Sequence, residues 1–121
     1  MFSASLELIL NVAYREAASR RHTHLTLEHL LYALVHDPEG ERILAACGAD
    51  LPSLRRTLDE FLGTLETLNK GERAREPAQT LGFRRVLQTA VLHVQSAGKD
   101  EVRSGDVLAA ILQQQKAYAS Q

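Results

Sequence analysis

Residues 6–34 read LELILNVAYREAASRRHTHLTLEHLLYAL, and residues 83–111 read FRRVLQTAVLHVQSAGKDEVRSGDVLAAI. The two stretches align without a gap at an offset of 77 positions. Leu10 meets Leu87, Ala13 meets Ala90, Ser19 meets Ser96, Leu31 meets Leu108 and Ala33 meets Ala110. Apolar character matches more widely: Leu6 with Phe83, Ile9 with Val86, Leu25 with Val102, Leu30 with Val107, Leu34 with Ile111. Self-similarity at a fixed spacing marks a repeated supersecondary unit. Here the unit is a helix, a six-residue connector and a second helix. Amphipathic helices this short are marginal alone, so the two units are predicted to bury their stripes against each other. The expected fold is all-α, a pseudo-two-fold helical bundle.

Outward from the repeats, the remaining helices announce themselves by their ends. Leu6, Ile9, Leu10, Ala13 and Ala17 recur at helical spacing and predict a helix over 4–20. A short basic loop follows, and Thr26 is a good N-cap with Glu28 in the first turn behind it. Asp37-Pro38 restarts the chain as cap and first helical residue, and Gly48 ends that third helix. Asp50 caps a fourth, with Leu51, Leu54, Leu58, Phe61 and Leu62 as its stripe. Residues 66–79 lose the period, carry many charges and are read as an exposed loop. Thr80 caps the next helix, Gly98 closes it, and the last begins near Ser104 with Asp106 in its first turn. The tail from Gln113 is weakly patterned and is expected to fray. The organisation expected is one domain over 1–121, with repeat one at about 1–65, the loop at about 66–79 and repeat two at about 80–121.

A chain of 121 residues has room for one core. Fourteen basic against fifteen acidic side chains leave a formal net charge of −1, which disfavours a partner bound chiefly through phosphates. No aromatic stacking platform accompanies the Arg84-Arg85 pair, so nucleic acid is not the expected partner. One cysteine, Cys47, excludes an internal disulfide and suits a reducing cytosol. Neither a signal peptide nor an apolar run of membrane-spanning length is visible, so a cytoplasmic domain is expected. No phosphate-binding GxxxxGK[ST] loop occurs.

Several segments together resemble the Clp N-terminal double repeat, most closely its ClpA version. They are Leu6-Glu7-Leu8, His22 to Leu31, Ala46-Cys47 with Asp50-Leu51, Thr80 to Gln88, and His93 to Gly98 followed by Glu101-Val102. The resemblance covers nearly the whole chain and implies a bundle of two Clp repeats. It implies a non-enzymatic module that precedes two ATPase modules and receives substrates and adaptors for an ATP-dependent AAA+ unfoldase. In the ClpA branch the adaptor is ClpS, which brings substrates with destabilising N-terminal residues. On this reading ATP and the ClpP peptidase engage the parent protein, no cofactor belongs to the chain, and the isolated domain is a monomer. ClpA-like versions continue with another helix beyond the region of Tyr118, so the chain is expected to be a trimmed fragment. Two other readings stay open: direct binding of unfolded substrate in an apolar groove, and a free-standing accessory subunit of a Clp complex.

The resemblance nominates Glu28 as an adaptor contact, with Thr23, Thr80 and Arg85 near the same surface. Thr23 stands where ClpA has an acid. Physically, Glu28 can meet a cation across an interface, or it can only complement the helix end, worth about 0.3–1 kcal/mol. Thr80 is equally a cap, and Arg85 equally a solvated side chain. In the related ClpC branch each repeat offers a Glu to phosphoarginine, but Gly105 stands at the second position here, so that activity is not expected. His22-x-His24 with His29 resembles a zinc pattern only weakly, because no Cys or clear fourth ligand accompanies it. The expectation is solvated loop histidines, a packed His29, incidental zinc at most and no metal site. Cys47 is expected to be a buried structural thiol, since no base partner can be assigned to it.

Overall fold

The computed structural model describes residues 1–73 and 75–119, with side chains in the last helix as far as residue 114. The elements are α1 (Ala4–Ser19), β1 (His24–Leu25), α2 (Leu27–Val35), α3 (Pro38–Ala46), α4 (Leu51–Leu62), β2 (Ala78–Gln79), α5 (Leu81–Ser96) and α6 (Ser104–Ala119). The 77-residue offset of the sequence carries α1 onto α5 end for end. It also carries the caps onto each other. Ser3 Oγ accepts from the Leu6 N–H at 3.0 Å, and Thr80 Oγ1 accepts from the Phe83 N–H at 3.2 Å. Either hydroxyl satisfies an amide that the first helical turn cannot.

Both long helices end in the same way. The His22 N–H donates to the Ala17 carbonyl at 2.9 Å, and the Lys99 N–H donates to the Val94 carbonyl at 3.0 Å. That closure needs a left-handed residue. The second repeat supplies Gly98 at φ 74°, whereas the first uses Arg21 at φ 58°. Arg21 is held there in part by its guanidinium, which donates to the carbonyls of Asn69 (3.3 Å) and Glu72 (3.0 Å).

The repeats are joined by exchange. Residues before α5 pair with the connector of the first repeat, as β1 and β2 run parallel with His24 opposite Ala78 and Leu25 opposite Gln79. Residues before α1 pair with the connector of the second, where Phe2 bridges Val102 in parallel. The Thr80 N–H donates to the Leu25 carbonyl at 3.0 Å, and its counterpart Ser3 N–H donates to the Val102 carbonyl at 2.8 Å. Each unit thus lends the other the backbone partner its own segment lacks.

One core runs through both units. Leu6, Ile9, Ala13, Leu25, Leu30 and Leu34 from the first meet Phe83, Val86, Ala90, Val102, Val107 and Ile111 from the second. A fully buried side chain of this size contributes roughly 1.5–3 kcal/mol, so the pairwise matching of the repeats is also a matching of core energy. Leu58 and Leu62 carry α4 onto α2. Arg55 joins α4 to the end of α2 and to α3, donating to the Val35 carbonyl and pairing with Glu41 at 3.2 Å. Gly40 lets α3 begin tightly against α2, since a β-carbon there would overlap the Leu34 carbonyl oxygen.

The structure corrects four expectations. The segment over 66–79 is not wholly exposed: Leu68 and Pro77 are buried, Thr67 bridges His22, and Ala78–Gln79 form β2. Cys47 is exposed rather than buried, because the C-cap of α3 turns its side chain away from the bundle. Phe61, assigned to the stripe of α4, is 43% exposed, while Leu58 and Leu62 are buried. His22 is buried at 3% exposure, not solvated in a loop. The helix over the tail runs to Ala119, and Ser120 and Gln121 lie outside the described residues.

Candidate functional site

The exchange of strands brings polar groups from both repeats to one place. A pocket of about 280 Å³ opens at the β1–β2 seam, lined by Thr23, His24, Thr26, Leu65, Glu66 and Thr80. The connector of repeat one supplies the first two residues, and Thr26 is the cap of α2. Leu65 and Glu66 follow α4, and Thr80 is the cap of α5. Two of the four residues nominated from sequence, Thr23 and Thr80, therefore share one lining although 57 positions apart. Glu28, half-buried in the first turn of α2, and Arg85, exposed on α5, lie outside that lining.

Thr23 is itself only 8% exposed. Its N–H donates to the Glu66 carbonyl at 3.2 Å, and its hydroxyl donates to the Glu66 carboxylate at 2.9 Å. The same hydroxyl lies 2.9 Å from His24 Nδ1. With its single proton committed to Glu66, Thr23 must accept there, so His24 carries its hydrogen on Nδ1. The result is a relay from imidazole through hydroxyl to carboxylate. Sequence reasoning considered His24 only as a weak zinc candidate, and it missed Glu66 and Leu65. Glu66 sits in a charge-rich stretch without periodicity, and its bond to Thr23 spans 43 positions, a separation that leaves no local signal.

Beneath the pocket runs a second relay. The Thr26 N–H donates to His29 Nδ1 at 3.0 Å, completing a capping box in which histidine takes the place usual for Glu or Gln. That fixes the His29 proton on Nε2, which donates to His22 Nδ1 at 2.8 Å. With Nδ1 accepting, the neutral His22 ring carries its proton on Nε2. His29 has no exposed surface, and its pKa is lowered to about 4, first by burial and then by the nearby His22 and Arg20. Burial likewise lowers the His22 pKa, against the opposing carbonyl of Leu62. Arg20 sits beside this pair, bonded to Glu16 at 2.7 Å and Asp59 at 2.6 Å, and both carboxylates raise its pKa.

Two other concavities are larger. One of about 610 Å³ lies at the connector of repeat two, among Glu39, Lys99, Asp100, Glu101, Arg103 and Asp106. Arg103 pairs there with Glu101 at 3.8 Å, and its backbone N–H donates to the Asp106 carboxylate at 2.8 Å. The other, about 460 Å³, is a shallow apolar groove of Phe2, Leu87, Val91 and Leu92 with Gln88. At the 77-residue offset the positions that correspond to Phe2, Leu87, Val91 and Leu92 are Gln79, Leu10, Tyr14 and Arg15, so the equivalent place on α1 lacks this apolar lining. Among the described residues no group of three or more His, Cys, Asp or Glu side chains could hold a metal ion. Among them, too, no helix is long and apolar enough to cross a membrane.

This architecture is that of a two-repeat helical N-domain. The N-terminal domain of Hsp104 from Candida albicans superposes with a TM-score of 0.81, over 95% of this chain and 75% of that one, at 18% identity. The ClpV N-domain from Vibrio cholerae superposes with a TM-score of 0.79, over 95% and 68%, at 24% identity. A complex of a ClpV N-domain with a VipB peptide has a TM-score of 0.77, over 95% and 69%, also at 24% identity. The chain belongs to the Clp repeat (R) N-terminal domain family, whose model matches residues 1–121. A ClpA homolog protein of Fuscovulum blasticum is 41% identical over 120 residues, which are 98% of this chain and 15% of that protein. The chain therefore spans about one seventh of the length of that curated relative.

Proposed function

We propose that this chain is the adaptor- and substrate-docking domain of a ClpA-like ATP-dependent unfoldase, receives a ClpS-type adaptor with its cargo, and is not itself an enzyme. The observation that carries this reading is the seam pocket, where Thr23 and Thr80 from the two repeats meet on a rigid, cross-braced surface. The 41% identity to a ClpA homolog supports the parent protein. The solved complex of a ClpV N-domain with a peptide supports a protein ligand for this fold. In mechanism, docking here tethers cargo near the ATPase ring and raises its effective concentration without new contacts at the pore. ATP and a ClpP peptidase then engage only the parent protein, in the cytoplasm, and the domain needs no cofactor. Its units are repeat one at about 1–65, a connecting segment at about 66–79 and repeat two at about 80–121.

Calorimetric titration of the domain with ClpS from the same organism tests this, using wild type and Glu28→Arg. Saturable binding that the charge reversal weakens supports adaptor docking with Glu28 at its edge. A folded wild type that gives no binding heat at several temperatures removes the adaptor. The apolar groove of Phe2, Leu87, Val91 and Leu92 favours a second reading, direct capture of unfolded substrate, which that outcome would promote.

A further inference from the structure

We propose that the His24–Thr23–Glu66 relay makes the seam pocket a receptor for one long basic side chain, lysine or arginine, presented by a protein partner. The inference deepens the docking reading and rests on it. Glu66 is exposed, yet one carboxylate oxygen is fixed by the Thr23 hydroxyl at 2.9 Å. Thr23 is the one side chain among the described residues that donates to that carboxylate. The four ion pairs among the described residues engage Glu16, Asp59, Glu41 and Glu101, and leave Glu66 without a cation. A tethered carboxylate has already lost much of its rotamer freedom, so less is lost when a partner arrives.

The walls fit the rest of such a side chain. Leu65 and the methyl groups of Thr26 and Thr80 offer apolar surface for an aliphatic stem, while the head reaches the free oxygen of Glu66. About 280 Å³ admits one side chain and not a helix. An anion would meet the charge of Glu66. A purely apolar occupant would strip water from the carboxylate and leave it unpaired, at a cost. Thr23 acts through Glu66 and is a positioning residue.

The test is an amide-resolved NMR titration of the domain with Nα-acetyl-arginine amide and Nα-acetyl-lysine amide, with the neutral isostere Nα-acetyl-citrulline amide as control. The expected result is saturable shifts at Thr23, Glu66 and Thr80 that are about two- to five-fold weaker in affinity for citrulline, as for an exposed ion pair. Glu66→Gln should make arginine and citrulline equivalent. Thr23→Val keeps the branched shape and should lower arginine affinity while leaving citrulline unchanged. Equal affinity for citrulline, no effect of Glu66→Gln, or shifts confined to the Asp100–Asp106 concavity would overturn the proposal. ClpS titrated against Glu66→Gln separates the two readings. Adaptor binding that is indifferent to Glu66, with no probe shift at the seam, sinks the receptor alone. A domain that holds the probe and ignores the adaptor sinks the docking reading alone.

Discussion

Protonating His29 should destabilise this domain, and replacing it by glutamine should remove that contribution. In the folded chain Nδ1 accepts from the Thr26 N–H and Nε2–H donates to His22, so an added proton on Nδ1 would face a donor. Burial and the neighbouring cationic groups hold the folded pKa at about 4, against the ordinary 6.5 of the unfolded chain. The sign follows from proton counts. Between these values the unfolded state binds more protons, so stability rises with pH and is lost as pH falls. The loss begins near pH 7, and is complete below about pH 4. At 1.36 kcal/mol per unit the whole shift is worth about 3 kcal/mol, and about 2 kcal/mol of it is lost between pH 7.5 and 5.0. His22, its pKa also lowered, adds in the same direction. His29→Gln retains an acceptor for the Thr26 N–H, since Gln is a usual third residue of a capping box, and it does not titrate. Urea denaturation followed by circular dichroism at both pH values compares the two proteins. Wild type should lose about 2 kcal/mol more than the variant. Equal losses would refute the buried, neutral pair as the acid-sensitive element.

Two further stability predictions rest on single atoms. Ser104 Oγ is buried without a hydrogen-bond partner among the described residues, so Ser104→Ala should raise stability by about 1 kcal/mol, or roughly 3–5 °C in Tm. A lower Tm on calorimetry would mean that the hydroxyl has a partner. Gly98 has φ 74° and open space where a β-carbon would stand, so Gly98→Ala should cost about 1–2 kcal/mol through the backbone alone. Urea titration that shows no loss would dispose of the left-handed helix end as an energetic constraint.

Helix ends were the most legible part of this sequence. Thr26, Asp37-Pro38, Asp50 and Thr80 all cap where their chemistry puts them, because a cap is decided within four residues. The offset of 77 was legible for the same reason, as a pattern of apolar positions. What the sequence hid is long-range. A parallel pair only two residues long has no periodicity of its own, so Ala78–Gln79 looked like loop. The Arg20–Leu25 stretch looked solvated because it is basic and short, yet Arg21 and His22 are tied to Asn69, Glu72 and Thr67. At the site, Thr80 was readable as a cap, but the carboxylate that Thr23 holds comes from a segment with no signature. Cys47 misled because cysteine usually packs inside, and its place at a helix end decided otherwise.

The reciprocal bridging of the two halves sets a timetable for synthesis. Phe2 is synthesised before its backbone partner Val102, which is added a hundred positions later. At roughly 5–20 residues per second the opening segment waits on the order of 5–20 s for that partner. For most of the interval the apolar faces of α1 and α2 lack Phe83 and Val86, and for all of it they lack Val107, their counterparts in the shared core. A nascent chain arrested before residue 102 should therefore be protease-sensitive from its first helix onward, and two such half-chains meeting on neighbouring ribosomes could close each other's seam. The arrangement that braces the finished domain so firmly is the one that leaves the segment around Phe2 unpaired until residue 102 has been made.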